Sequence, residues 1–365
     1  MGRRTGHHRG SLSRGEFDPA VNILYWGTPA YAVPTLQALH QAGHTIVGVV
    51  TQPDRRRGRG KQLMPSAVKV AALELGIPVF TPERIRKDPD CQAQLAQLGA
   101  DVSVVVAFGQ ILPKEVLDQP PLGCWNGHGS LLPRWRGAGP IQWCLLEGDS
   151  TTGVGVMAME EGLDTGPVLL EQTLPIGLCE NASELGERLS QLTADLMVKA
   201  MPLIEAAGPG AEADRLARLG VRPQCEASTY ARMLAKQDFQ IDWHQSALVI
   251  HRKVMGLYPG ATTLWKGKRL KLMSTEPLVK RLTDQLSPEA AALAQQWGLS
   301  AGETPDPSIH PGQVLAVVPD QGLVVASTGC PLLVREAQLE GKSRSSGGAL
   351  LQQLQAKPGD RLGDQ

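Results

Sequence analysis

From Asn22 onward, short apolar runs alternate with amphipathic stretches, the pattern of a parallel sheet flanked by helices. The runs that read as strands are NILYWG from Asn22, TIVGVV from Thr45, IPVF from Ile77, DVSVVVAFG from Asp101, CWNGHG from Cys124, GVGVMAM from Gly153 and VLLEQTLPI from Val168. Between them PTLQALHQAG, PSAVKVAALELG, CQAQLAQLGA, KEVLDQ and PIQWCLLEGD predict helices, several with apolar residues at three- and four-residue spacing. A long helix from about Ser183 to Ala207 closes this unit. Residues 206–228 then turn rich in Ala, Gly, Pro and charge and read as a linker. Beyond it, STYARMLAKQ and SALVIHRKVMGL predict helices. ATTLW, RLKLMST, GQVLAVV, GLVVAST and PLLVREAQ predict short antiparallel strands, a small barrel of the OB type. A mildly acidic insertion at about 283–311 interrupts them.

The expected fold class is therefore α/β: a Rossmann-like, doubly wound, mostly parallel sheet over 21–208, a linker at 209–227, and a small OB-like β-barrel domain over 228–365. Residues 1–20 are expected to be a disordered extension. A length of 365 residues suits two domains, and aromatic residues at 4% leave packing to Leu, Val, Ile and Ala. A formal charge of zero excludes a wholly basic nucleic-acid binder while leaving room for local patches. The six cysteines form no C-x-x-C pair and read as reduced thiols of a cytoplasmic protein. No apolar run reaches the roughly 18 residues of a membrane span, so no membrane partner is expected.

Candidate chemistry centres on CWNGHGSLLPRWRGAGP, residues 124–140. Side chains two apart on a strand point the same way, so Asn126 and His128 face one point at the carboxyl end of a sheet strand. Alone, Asn-x-His is ordinarily a turn whose histidine has found a partner. The next strand pair, GVGVMAMEEGLDTGPVL, supplies Asp164 between glycines, a second polar group for the same edge. With no partnered Ser or Cys nucleophile and no metal-ligand set, an amide, an imidazole and a carboxylate suit direct attack on a carbonyl. Asn126 would donate to the developing oxyanion, His128 would move a proton or stabilise that oxyanion, and Asp164 would orient the ring.

NGHGSLLP, followed about 30 residues later by GLDTG, resembles the formyltransferases that use 10-formyltetrahydrofolate. YWGTPAYAVPTL, TQPDRRRGRGKQLMPSAVKVAA, VVVAFGQILPKEVL and HGSLLPRWRGAGPIQ extend the likeness, as does a C-terminal barrel introduced by IDW at Ile241–Trp243. Gly155 departs from the family pattern, the barrel insertion is long, and residues 1–20 match nothing. The resemblance implies catalysis by Asn126, His128 and Asp164 and folate binding by Ser130, Leu131, Leu132 and Pro133. It also implies an apolar pterin cleft near Ala107–Ile111. The formyl donor would be 10-formyltetrahydrofolate, the acceptor the methionine amine of initiator methionyl-tRNA, with no metal and no covalent enzyme intermediate.

Two basic segments fit such an acceptor. Arg55, Arg56, Arg57, Arg59 and Lys61 crowd one glycine-spaced loop on the carboxyl edge of the second strand, where they would reach acceptor-stem phosphates. Lys266, Lys268 and Arg269 lie in a barrel stretch, 252–271, that holds no Asp or Glu. A monomer is expected. Rival acceptors are an amino-sugar nucleotide and glycinamide ribonucleotide, the latter opposed by the long C-terminal region. A non-catalytic dinucleotide binder is opposed by residues 27–32, GTPAYA, with one glycine where that fingerprint needs three.

Overall fold

The computed structural model describes residues 20–57, 62–225, 227–300, 302–304 and 306–363. Strand β1 (Asn22–Gly27) leads through α1 (Val33–Gln41) to a parallel β2 (Thr45–Val50). An antiparallel hairpin, β3 (Arg55–Arg57) with β4 (Gln62–Met64), precedes α2 (Ala67–Glu74) and β5 (Val79–Phe80). The winding resumes through α3 (Pro89–Gln97), β6 (Val102–Val106), α4 (Lys114–Leu117) and β7 (Cys124–His128). After β8 (Arg136–Gly137) and α5 (Pro140–Glu147) come β9 (Thr151–Ala158), β10 (Val168–Pro175) and α6 (Ala182–Ala207). The sheet order is β10-β9-β7-β6-β1-β2-β5, parallel from β5 to β7 and antiparallel at β9 and β10. Winding reverses between β1 and β6, so the crevice of this doubly wound sheet opens at their carboxyl ends.

The central strands read as unbroken apolar runs because both of their faces are covered. Ile23, Tyr25, Val104, Val106 and Trp125 pack with Leu36 and Leu39 of α1 and with Leu185, Leu189 and Met197 of α6. Leu24, Trp26 and Val105 pack on the other face with Phe108, Leu112 and Val116. Helix α6 starts one residue before the predicted Ser183. Asn181 accepts from the Ser183 and Glu184 amides while the Glu184 carboxylate accepts from the Asn181 amide, a reciprocal cap.

The expected linker is not plain: it contains α7 (Glu212–Leu219), and Arg222 then bridges Val168 of the first unit. STYARMLAKQ is not a helix. It forms β11 (Tyr230–Ala231), which pairs with β8, and then a 3₁₀ turn at Lys236–Phe239, because the edge of β8 offers its backbone a partner. Helix α8 (Ala247–Gly256) leads into β12 (Thr262–Trp265) and β13 (Lys268–Pro277). The insertion carries α9 (Pro288–Trp297), whose Ala290 and Ala294 bury against Leu278, Val324 and Leu333. Strands β14 (Val314–Val318), β15 (Gly322–Val325), β16 (Leu332–Leu339) and β17 (Ser345–Ser346) and helix α10 (Gly347–Leu354) complete the barrel unit. The sheet runs β12-β13-β16-β15-β14, and the tail closes it: Arg361 bridges Gln313 and Leu362 bridges Trp265.

The two units pack directly. A Cβ on Gly256 would lie 3.2 Å from both the Gln142 carbonyl and the Leu145 Cβ, so glycine lets α8 settle on α5. Beside it, His251 is fully buried, its Nε2 2.8 Å from the Leu178 carbonyl oxygen and its Nδ1 3.0 Å from Thr275 Oγ1. A neutral ring satisfies both contacts, donating to the carbonyl and accepting from the hydroxyl. Burial holds the ring below the ordinary imidazole range, although the Leu178 carbonyl and the Glu276 charge act in the opposite sense. The unfolded imidazole takes up its proton near about 6.5, the folded one at lower pH, so in that window the unfolded state binds more protons and stability falls on acidification. His251→Gln is therefore expected to lose less stability than the unaltered chain between about pH 7 and pH 5 in denaturant titrations. Equal losses would contradict this role.

Candidate active site

Alternation along β7 separates two kinds of residue. Trp125 and Gly127 face α6: a Cβ on Gly127 would meet Thr193 Cγ2 at 2.5 Å. Glycine there admits the helix. Asn126 and His128 occupy the opposite face, with Asn126 in register between Val105 of β6 and Met157 of β9, and His128 opposite Gly155. The apolar cluster of Leu24, Trp26 and Val105 ends on one side of β7, and a smaller one of Leu132, Met157 and Val168 begins on the other. The half-buried Asn126 amide makes no hydrogen bond among the described residues. A polar group so placed between apolar neighbours leaves donors and an acceptor open to a ligand. Cys124 shares this face, but burial pushes its thiol up to about 12, leaving it neutral and unsuited to attack.

His128 is buried and its ring is fixed from behind: Nε2 lies 2.9 Å from the Trp135 carbonyl oxygen. A carbonyl only accepts, so Nε2 carries a proton and Nδ1 becomes the atom that exchanges one. Nδ1 lies 3.7 Å from Asp164 Oδ2, a charge contact longer than a hydrogen bond, with Nδ1 left for a reacting partner. Asp164 adopts a left-handed backbone, φ 53°, in the loop between β9 and β10. Gly166 makes that loop possible, since a Cβ there would sit 1.8 Å from the Ala158 carbonyl oxygen. The Gly137 amide donates to Asp164 Oδ2 at 2.7 Å and aims the carboxylate at the imidazole.

The residues that hold this arrangement include two absent from the sequence-based set. Gln224 donates through Nε2 to the carbonyls of Asp164 at 3.0 Å and Gly166 at 2.6 Å. Its Oε1 accepts from Nε and Nη2 of the buried Arg136 at 3.0 and 2.8 Å. Pairing of β11 with β8 and a bridge between Arg222 and Val168 strap residues 222–225 and 227–231 over the loops that carry Trp135, Gly137 and Asp164. Only the adjacency of Arg136 to Gly137 in a loop already singled out could have pointed to it.

Of the expected folate segment, Ser130 Oγ donates to the Arg134 carbonyl at 2.6 Å, Leu132 and Pro133 are buried, and Leu131 is half-buried. On the segments bordering the site, Ile111 and Leu163 are 62% and 54% exposed, apolar surface of the sort a flat heterocycle covers. Thr28 Oγ1 and Gln52 Nε2 both donate to the Phe108 carbonyl and tie the carboxyl ends of β1, β2 and β6 together. Arg55 and Arg56 stand exposed on the β3–β4 hairpin, whose paired strands take the place of part of the expected loop. Arg57 contributes its backbone to β3, while Arg59 and Lys61 lie outside the described residues. Near the β12–β13 turn Lys266 lies 3.5 Å from the half-buried Asp360, Arg269 lies 3.9 Å from Glu340 in an exposed pair, and Lys268 is exposed. The site brings Asn126, His128 and Asp164 together; the barrel bases form a separate surface. Among the described residues no group of three or more His, Cys, Asp or Glu side chains is arranged to hold a metal.

Comparison with known proteins agrees in extent with this geometry. Residues 20–201 match the Formyl transferase family and residues 233–355 the Formyl transferase, C-terminal domain family. The methionyl-tRNA formyltransferase of Synechococcus sp. (strain WH7803) is 72% identical over 343 residues, spanning 94% of this chain and 98% of that protein. HypX from Aquifex aeolicus, solved with tetrahydrofolic acid, is similar in fold, with a TM-score of 0.57 at 15% identity over 92% of this chain. This chain spans about half, 48%, of HypX. An N-formyltransferase from Helicobacter canadensis, solved with folinic acid and dTDP-3-aminofucose, superposes with a TM-score of 0.58 at 14% identity, over 86% of this chain and 98% of that one.

Removing the amide that fastens the Asp164 loop should reach the reaction without touching a reacting atom. Gln224→Ala is expected to lower kcat at least tenfold, about 1.4 kcal/mol of activation free energy, with a smaller change in donor KM. Steady-state kinetics with unaltered kcat would show that the strap is dispensable.

Proposed function

Because the chain belongs to the formyltransferase family, we infer that it is an enzyme formylating methionyl-tRNA, with 10-formyltetrahydrofolate as donor and the methionine amine of initiator tRNA as acceptor. The product, formylmethionyl-tRNA, serves translation initiation, and a cytoplasmic monomer is the state in which we expect it to act. No helix among the described residues is long and apolar enough to cross a membrane. Within this reading the observation that carries most weight is the unpartnered Asn126 amide, set beside a ring whose Nδ1 faces a fixed carboxylate.

Asn126, His128 and Asp164 are the proposed catalytic residues. The donor, when bound, would supply the formyl carbon that the amine attacks; as the new C–N bond forms, the donor's own bond to that carbon would break and tetrahydrofolate would leave, taking up a proton. Asn126 donates a hydrogen bond to the oxygen that gains charge during the attack, a contribution on the order of 3 kcal/mol for one such donor. His128 exchanges the proton of the attacking amine at Nδ1, because Nε2 is committed to the Trp135 carbonyl. Asp164 compensates the positive ring, and its tie to Gly137 keeps the carboxylate on the ring's open side. No side chain need form a covalent bond to the formyl group.

We place the donor's pterin against Ile111 and the Ser130–Pro133 segment. Ser130 has its hydroxyl turned into its own loop and Leu132 is buried, so contacts from that segment would come from Leu131 and backbone groups. The β3–β4 hairpin rises from the end of β2, on the carboxyl edge that also carries His128, which supports its assignment to acceptor-stem phosphates. Lys266, Lys268 and Arg269 remain the proposed barrel contacts, and their ion pairs are exposed enough for phosphates to displace.

Asn126→Ala, His128→Ala and Asp164→Asn are each expected to lower formyl transfer by about two to four powers of ten while leaving thermal unfolding little changed. The assay uses charged initiator tRNA beside an amino-sugar nucleotide and glycinamide ribonucleotide. Near-normal turnover in any variant would remove that residue from the set, and preference for a sugar nucleotide would replace the acceptor.

A further inference from the structure

We propose that the groove beside Trp135 is a nucleotide subsite that seats one unpaired base of the tRNA 3′ end as the acceptor enters the cleft, an inference that rests on the tRNA reading above. The groove has a volume of about 420 Å³ and is lined by Leu131, Arg134, Trp135, Gly148, Asp149 and Ser150–Thr152. It adjoins the catalytic residues through one residue: the Trp135 backbone carbonyl holds His128, and Trp135 also lines the groove.

Two of its lining residues, Arg134 and Trp135, belong to a ladder of flat groups that continues behind the groove. The Arg134 guanidinium lies 4.3 Å over the Trp135 ring, Trp135 stacks on Trp143 with centroids 6.3 Å apart at 26°, and Arg232 covers Trp143 at 4.8 Å. Asp149 locks the upper end, accepting from Arg134 Nε and Nη2 at 2.8 and 2.6 Å and from Trp135 Nε1 at 2.7 Å. That bidentate pair neutralises Arg134 and uses the edge of its guanidinium, so what it offers a ligand is a planar face rather than a charge. Unpaired bases stack on such faces. Exposed Ser150 and Thr151 supply hydroxyls for base edges or ribose.

Charge comes from elsewhere. Arg252 of α8 lies against Gly148, where its guanidinium carbon occupies the space within 2.0 Å of a Cβ position, and only glycine, at φ 73°, leaves room for it. Arg252 makes no hydrogen bond or ion pair among the described residues. A face for a base and an uncommitted cation beside it, contributed by the two units of the chain, describe a nucleotide with its phosphate. The arrangement assigns α8 a role in acceptor binding that the barrel turn at Lys266–Arg269 does not fill.

The test is tRNA binding by the full-length protein, with initiator tRNA carrying an abasic nucleotide at each unpaired 3′ position in turn. One position is expected to weaken binding on the order of tenfold in the unaltered protein and to have no further effect in Arg134→Ala. Arg134→Lys, which keeps the charge and loses the plane, is expected to behave as Arg134→Ala does. Arg252→Ala is expected to retain the abasic effect and to reduce the slope of log affinity against log salt by about 0.7. Independent effects of Arg134→Ala and abasic substitution at every position, or unaltered binding by Arg134→Lys, would overturn the subsite while leaving formyl transfer to methionyl-tRNA intact. Failure of the unaltered protein to formylate charged initiator tRNA would remove both.

Discussion

The hydrogen bond from the Gly137 amide to Asp164 is the contact on which the rest of the site depends. It joins two loops whose chemistry is useless apart: one holds His128 through the Trp135 carbonyl, and the other ends a β-hairpin at an acidic turn. Two residues, Trp135 and Gly137, thereby set the distance between imidazole and carboxylate, and Arg136 between them secures the strap through Gln224. Backbone donors and acceptors do this aiming with little side-chain freedom to lose, which suits a site whose work is electrostatic and positional.

The strap also explains why the barrel is more than an appendage. Residues 222–225 and 227–231 cross the first unit's loops on their way to α8, so the order of the site and the docking of the barrel share one segment. Gly256 and His251 then fix α8 against α5 and against the Leu178 carbonyl. Arg252 is carried on the same helix to Gly148. Contacts that hold the two units together thus lie next to those proposed to receive the acceptor, and a change in docking would be felt at both.

Much of this was legible in the sequence, for identifiable reasons. Strands β1, β2 and β6 are buried on both faces and announce themselves as apolar runs, and β7 stands out because Asn126 and His128 break such a run at spacing two. The doubly wound fold and the formyltransferase resemblance both followed from local pattern. Gln224 was not legible, because its partner Arg136 is 88 residues away and a glutamine in a polar segment carries no periodic signal. STYARMLAKQ read as a helix because a two-residue strand leaves no pattern of its own; pairing with β8 creates it. The tryptophan and arginine ladder was equally hidden, since Trp143 meets Arg232 only through the strap.

Whether the open face of β7 receives the reacting carbonyl is decided by a crystal structure with a non-reactive analogue of the formyl donor. The carbonyl-equivalent oxygen is expected within about 3 Å of the Asn126 amide nitrogen, with His128 Nδ1 on the side from which an amine would approach. An analogue bound with that group turned away from β7, and Asn126 still without a partner, would contradict it.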